Sequence, residues 1–263
     1  MLYIFCPLYA EAKPLIESMC MKPMKTVFGH RCFENNEICL LICGTGVLYT
    51  AAFAAAVLSR GRNIQGMIVY GSGAMLRPLN KEYVYVTDQI TNMADGRTYY
   101  PDVFLSLPTA PIHFVSGESL YTGQKLDGSV YDMESAGLYM AGSMFLRPDQ
   151  MLFMRFISDH GEPGTISAAK LTALSAQHLQ QAQSYISAFY HLLQEEKSQE
   201  NTADILAENI PISVTMRRQA MQMIRYARKM HIPITDLEER LYRINNKEEG
   251  KKILHELCTR VSR

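Results

Sequence analysis

Three acids stand where an open sheet would gather them. Glu11 follows the apolar run 2–8, Glu134 heads the small-residue stretch in "VYDMESAGLYMAG", and Asp159 closes "QMLFMRFISD". Each alone reads as an acid complementing a helix N-terminus, or as a polar residue entering a loop. If the preceding strands are parallel, Glu11 and Asp159 reach the same sheet edge as Ser72 of "YGSGAM". Together they supply the residue types for breaking a bond to a sugar. That reaction needs an acid for the leaving group, a base for water, and stabilisation of an oxocarbenium-like centre. A purine protonated at N7 departs neutral, and a further carboxylate can accept hydrogen bonds from ribose hydroxyls.

Positioning these groups requires strands that alternate with helices. Runs 2–8, 66–75, 82–90, 111–118 and 150–159 read as strands, and "KTVFGHRCFE" with "EICLLIC" reads as a hairpin turning at Asn35-Asn36. Helical patterns cover 10–19, 46–60, 133–146 and a long stretch from Ile166 to Gln194. The pattern predicts an α/β fold: a mixed, mainly parallel central sheet flanked by helices. The polar stretch 195–210 reads as a linker, followed by an all-helical appendage with segments near 213–230, 234–244 and 248–261. The expected domains are 1–197 and 211–263.

Several chemistries are excluded. "CGTGVLYTA" follows a strand and opens a helix, yet its third glycine is absent and no Asp or Glu occurs from Ile38 to Lys81. A dinucleotide site would need that acid for the ribose diol. No phosphate-binding P-loop is present, and "YGSGAM" lacks the spacing of a nucleophilic serine elbow, leaving a ligand-facing edge or a tight glycine turn. The six cysteines form no C-x-x-C pair and the seven histidines no metal-binding pattern, so neither metal nor cofactor is expected. The cysteines are expected to be reduced, in a cytoplasmic protein without a leader or membrane span. Lys plus Arg and Asp plus Glu are equal at 26 each, which gives no field for nucleic acid or membrane.

Taken in order, "YIFCPLYAEAKPL", "CGTGVLYTAA", "VYGSGAMLRPLNKEYVYVTD", "FVSGES", "VYDMESAGLYMAG" and "RFISD" resemble the nucleoside phosphorylase and nucleosidase superfamily. The resemblance is greatest to its methylthioadenosine/S-adenosylhomocysteine nucleosidase branch and runs from residue 1 to about 195. It implies that Asp159 is the general acid at purine N7, with Ser158 orienting the base. It implies that Glu134 binds the ribose hydroxyls with Met133 packing on the sugar, and that Glu11 activates water near Ser72. Leu120 and Tyr121 would stack on the base and read its edge. The stretch Asp88–Ser116 is shorter than in the family. A small-molecule nucleoside substrate and a homo-oligomer, with a dimer favoured, follow from the same resemblance.

Two other readings stay open. A phosphorylase would need arginines for phosphate, and "MIVYGSG" carries none before its glycine turn. A weakly catalytic nucleoside-binding regulator is the other, with the tail as its partner module. In that tail Met216, Ala220, Met223, Ile224 and Ala227 form one helical stripe that must be buried against the main domain or a second subunit.

Overall fold

The run after Met1 forms strand β1 (Leu2–Cys6), almost wholly buried at the centre of the sheet. The structure is a computed structural model that describes all residues except Arg62, 162–165, 208–212, His231, Asn245 and 262–263. After β1 come α1 (Tyr9–Ser18), β2 (Lys22–Pro23), β3 (Cys32–Glu34), β4 (Ile38–Ile42), α2 (Val47–Leu58) and the long strand β5 (Gly66–Met75). Next are β6 (Val84–Val86), β7 (Gln89–Asn92), β8 (Thr98–Tyr99), β9 (His113–Ser116), β10 (Val130–Asp132), α3 (Ser135–Gly142) and β11 (Met151–Asp159). The helices α4 (Ala168–Gln177), α5 (Leu179–Ala207), α6 (Val214–Lys229), α7 (Thr235–Tyr242) and α8 (Lys247–Val261) complete the chain.

The described residues place the strands in one mixed sheet of order β2-β3-β4-β1-β5-β10-β9-β7-β8, with β11 pairing with both β5 and β6. β5 lies parallel to β1 and to β11, in register Leu2↔Gly66 and Met151↔Met67. Their carboxyl ends therefore share one edge, the edge at which open sheets bind ligands. A core of Phe5, Leu41, Val69, Phe114 and Phe153 underlies it, closed by Phe53 and Val57 of α2 and Leu138 of α3. Gly137 lets α3 approach α2 closely, since a Cβ there would overlap the Val47 carbonyl.

Four expectations are corrected. The run 82–90 is two strands, because Thr87 Oγ1 donates to Gln89 O and accepts the Gln89 N–H, turning the backbone between them. β6 then pairs with β11 and β7 with β9. The long helix from Ile166 breaks at His178, whose ring stacks on Phe156. Much of the expected linker is the end of α5, which runs to Ala207; residues 208–212 lie outside the described residues. "GSG" is no turn: Gly71 and Gly73 continue β5, and neither has a positive φ. They are glycine for space, as a Cβ on Gly73 would sit 2.5 Å from Val130 Cγ1.

The chain divides into two compact units, Met1–Tyr190 and His191–Arg263. In the second, Ala220, Ile224 and Ala227 of α6 bury against Leu237 and Leu241 of α7 and Ile253 and Leu257 of α8. Paired Arg–carboxylate contacts add to it, Arg228 with Glu238 at 3.0 Å and Arg240 with Glu256 at 2.7 Å. The apolar stripe of the tail is thus covered inside its own unit, which corrects the expectation that it needs another surface. Among the described residues, no helix is long and apolar enough to cross a membrane.

Candidate active site

Glu11 sits in the first turn of α1 and is fully buried. Its Oε2 accepts the Leu8 N–H at 3.1 Å, so the capping role of such an acid is present. Its Oε1 does something caps do not: it accepts both the Ser72 N–H at 2.8 Å and the Ser72 Oγ–H at 2.5 Å, from the neighbouring strand. Burial raises the Glu11 pKa, and the Ser72 hydrogen bonds and the nearby Arg155 charge only partly offset it.

Glu134 occupies the N-cap position of α3 but makes no capping hydrogen bond with its side chain. Asp132 performs that task, accepting the N–H groups of Glu134 and Ser135 at 3.2 and 3.1 Å. Asp132 also accepts from Ser116 Oγ at 2.5 Å, from the Ser135 hydroxyl, and from Arg155 Nε at 2.9 Å. Arg155 is fully buried in β11 and gives its Nη2 to Glu134 Oε2 at 3.1 Å. The sequence reading passed over both Asp132 and Arg155. A signal existed: Arg155 is the one charge inside the apolar run "MLFMRFIS", and a buried arginine requires carboxylate partners.

Three buried carboxylates therefore surround one guanidinium, and a single positive charge cannot balance three negative ones in a dry site. The charges divide accordingly. Burial pushes Asp132 upward, but Arg155 and the hydroxyls of Ser116 and Ser135 outweigh it and hold its carboxyl below the usual range. Glu134 is pushed up to about 8 by burial, against the pull of Arg155 and with the help of Asp132 and Glu11. Burial lowers the Arg155 pKa, yet its three acidic neighbours outweigh that and raise it. Asp132 is thus the counter-ion of Arg155, while burial shifts Glu134 and Glu11 toward their neutral forms relative to exposed carboxylates.

One donor is left over. Arg155 Nη1 is buried without a hydrogen-bond partner. A Cβ built on Gly71 would lie 2.8 Å from this nitrogen and 3.1 Å from Glu11 Oε2. Pro7 Cδ lies 3.0 Å from the same point, so Gly71 lets these groups pack closely where a side chain would not fit.

Asp159 ends β11 at a bulge against β5. Its Oδ2 accepts from Ser158 Oγ at 2.6 Å and its Oδ1 accepts the Gly161 N–H at 2.7 Å, which fixes the carboxyl plane. Gly161 has φ +85°, and the ring of Tyr121 packs where a Cβ would be. Tyr121 also tilts against Tyr131, with ring centroids 5.3 Å apart, whereas Leu120 is largely exposed. The loop bearing both is tied back by Glu118, whose Oε1 accepts the Leu48 N–H of α2 at 2.5 Å.

One cavity of about 1190 Å³ brings these groups together: Glu11, Ser72, Leu120, Tyr121, Met133, Glu134, Ser158 and Asp159 all line it. Every residue singled out from the sequence for the site is therefore on its wall. The side formed by α4 is lined by Ala168, Ala169, Leu171, Thr172, Ala173 and Ala176, a mostly apolar wall. Thr172 on the same face donates to the Ala10 carbonyl at 3.0 Å, and Ser175 donates to the Glu11 carbonyl at 2.6 Å, fastening α4 to α1. Among the described residues no group of three His, Cys, Asp or Glu side chains is disposed to hold a metal ion.

No family model and no curated protein matches the chain by sequence. Solved structures do match by fold. The methylthioadenosine nucleosidase of Arabidopsis thaliana superposes with a TM-score of 0.61 at 15% identity, over 72% of this chain and 95% of that one. A futalosine hydrolase mutant of Helicobacter pylori gives 0.60 at 12% identity, over 71% and 98%. The 5′-methylthioadenosine/S-adenosylhomocysteine nucleosidase of S. pneumoniae, bound to a transition-state inhibitor, gives 0.57 at 16% identity, over 72% and 97%.

Proposed function

From this fold, which is that of the nucleoside phosphorylase and nucleosidase superfamily, we propose that the chain hydrolyses the N-glycosidic bond of a purine nucleoside of the methylthioadenosine/S-adenosylhomocysteine kind. The observation that carries the reading is the group of buried carboxylates around Arg155, facing the same cavity as Asp159. Asp159 donates a proton to N7 as the C1′–N9 bond breaks and its electrons enter the purine. Glu134 accepts hydrogen bonds from the ribose hydroxyls, which favour its ionised form and set negative charge beside the oxocarbenium-like centre. Glu11, on the cavity wall beside Ser72, faces the water that attacks C1′. Glu11 takes the proton of that water as it adds to C1′. Its raised pKa brings a carboxylate nearer the working pH, which suits a general base.

Hydrolysis is favoured over phosphorolysis for a stated reason. Both donors of Ser72 are committed to Glu11, so phosphate arriving there would meet a carboxylate instead of free N–H and O–H groups. The apolar wall that Leu171, Ala173 and Ala176 of α4 give the cavity supports an apolar substituent at C5′. Self-association as a dimer belongs to the same proposal and is supported by the exposed Leu48, Tyr49 and Met144.

The test is a panel of purine nucleosides with and without 5′-thio substituents, assayed chromatographically for free base in buffers with and without phosphate. Release that is independent of phosphate and absent in Asp159→Asn supports the proposal. Strict dependence on phosphate would make the chain a phosphorylase. No release from any member would leave a binding protein.

A further inference from the structure

Outside the cavity, one pair of side chains in this fold is placed for chemistry. Cys32 on β3 and Cys39 on β4 point at each other across the antiparallel hairpin, with their Sγ atoms 3.4 Å apart. They occupy a diagonal of the ladder: Cys32 is opposite Leu41, and Cys39 is opposite Glu34. The other cysteines have no such arrangement. Cys6 and Cys43 are sealed in the core, where burial raises their thiol pKa values well above the usual range, and Cys20 lies exposed elsewhere.

We propose that Cys32 and Cys39 form a peroxide-sensitive dithiol that closes into a disulfide stapling the β3–β4 hairpin. The inference does not depend on the nucleosidase reading. Forming the bond needs the sulfurs to close from 3.4 Å to about 2.05 Å, which for a diagonal pair takes a small movement of the hairpin backbone as well as side-chain rotation. The two thiols divide the labour by their environments. The hydrogen bond from the Cys39 thiol stabilises a Cys32 thiolate and lowers its pKa, outweighing the effects of burial and of Glu34. Cys39 is pushed the opposite way, first by that hydrogen bond and then by burial, and keeps its proton. Cys32, buried at 3% exposure, is the sulfur whose thiolate this contact favours and is assigned the attack, with the more accessible Cys39 as the resolving thiol.

The electrons balance with a peroxide as oxidant. The Cys32 thiolate attacks one peroxide oxygen, the O–O bond breaks, and the departing hydroxide takes a proton to become water. The resulting sulfenic acid is attacked by the Cys39 sulfur; the S–S bond forms, the S–O bond breaks, and the second oxygen leaves as water. Two thiols lose two electrons and one peroxide becomes two waters. The staple would fix the strand that carries Phe33, whose ring stacks on Tyr9 at 5.9 Å, and Tyr9 lines the cavity.

The experiment treats the folded full-length protein with hydrogen peroxide, blocks remaining thiols by alkylation, and digests at glutamate. Glu34 and Glu37 lie between the two cysteines, so cleavage there separates them unless a disulfide joins them. The expected product is a linked peptide pair lacking two hydrogens and restored by reductant. In Cys39→Ser the link is lost and Cys32 is trapped as a sulfenic acid by a dione probe. Alkylation of both residues after peroxide has oxidised the exposed Cys20 would overturn the proposal. So would a link from Cys32 to any other cysteine. Thiol counting on untreated Cys39→Ser, native against denatured, confirms that the variant is folded before the trapping result is read.

Discussion

Replacing Arg155 with methionine isolates what the guanidinium does. The variant keeps an unbranched apolar stem but leaves Asp132 and Glu134 buried without their cation. Removing one partner of a buried ion pair costs roughly 3–5 kcal/mol, because the remaining charge is uncompensated. At about 2–4 °C per kcal/mol for a unit of this size, the N-terminal unit should melt roughly 6–20 °C lower. The pH dependence gives a sharper signature. In the native protein Asp132 has a depressed folded pKa, so its contribution is present above the unfolded value and is lost as pH falls through the folded one. In the variant both acids have folded pKa values above their unfolded ones. Their protonated forms are then tolerated at low pH, and stability is lost as pH rises through the raised values. The gap between native and variant melting temperatures should therefore widen from mildly acidic to mildly alkaline pH. Differential scanning calorimetry across that range measures it, with Arg155→Lys recovering part of the loss through charge without the fork. A gap that is small and constant with pH would refute the view that one arginine holds the acids in place.

The remaining predictions concern the proposed reaction and the tail. Asp159→Asn should fold normally and lose base release by roughly 10²–10⁴-fold, the usual range for a general acid, as measured in single-turnover assays. Gly71→Ala should lower the melting temperature of the N-terminal unit in calorimetry, because its Cβ would lie 2.8 Å from Arg155 Nη1, 3.0 Å from Pro7 Cδ and 3.1 Å from Glu11 Oε2. An unchanged melting temperature would mean that the packing around Arg155 tolerates a side chain there. A chain ending at Ser198 should keep kcat, since all acids assigned to the site lie in the first unit; losing it would put the tail in the mechanism.

The placement of Glu11 and Asp159 was legible because residues that follow or end parallel strands share an edge, whereas Ser72 lies inside β5 and meets Glu11 from the neighbouring strand. Glu134 was legible in position and only half in role, for the capping task it seemed fit for belongs to Asp132 two residues earlier. Arg155 escaped because attention to motifs skips a charge embedded in a strand, although such a charge announces buried acids. The split of 82–90 turned on one hydroxyl, Thr87, competing for the backbone of Gln89. The break at His178 carries no glycine or proline, and its cause is tertiary packing on Phe156. The stretch after 195 looked like a linker from its polarity, yet glutamine, glutamate, lysine and alanine are good helix formers and α5 continues through it. The tail stripe was read correctly as a buried face, but which surface covers it depends on how three helices meet, which periodicity does not encode.

Hydrolysis by a water that Glu11 deprotonates is the central claim. The direct measurement is the sugar product formed in ¹⁸O-labelled water with phosphate present, analysed by mass spectrometry. The account predicts free base and a reducing sugar carrying one ¹⁸O at C1, with no sugar 1-phosphate. A sugar 1-phosphate without label, or no base release by the native protein from any purine nucleoside, would contradict it.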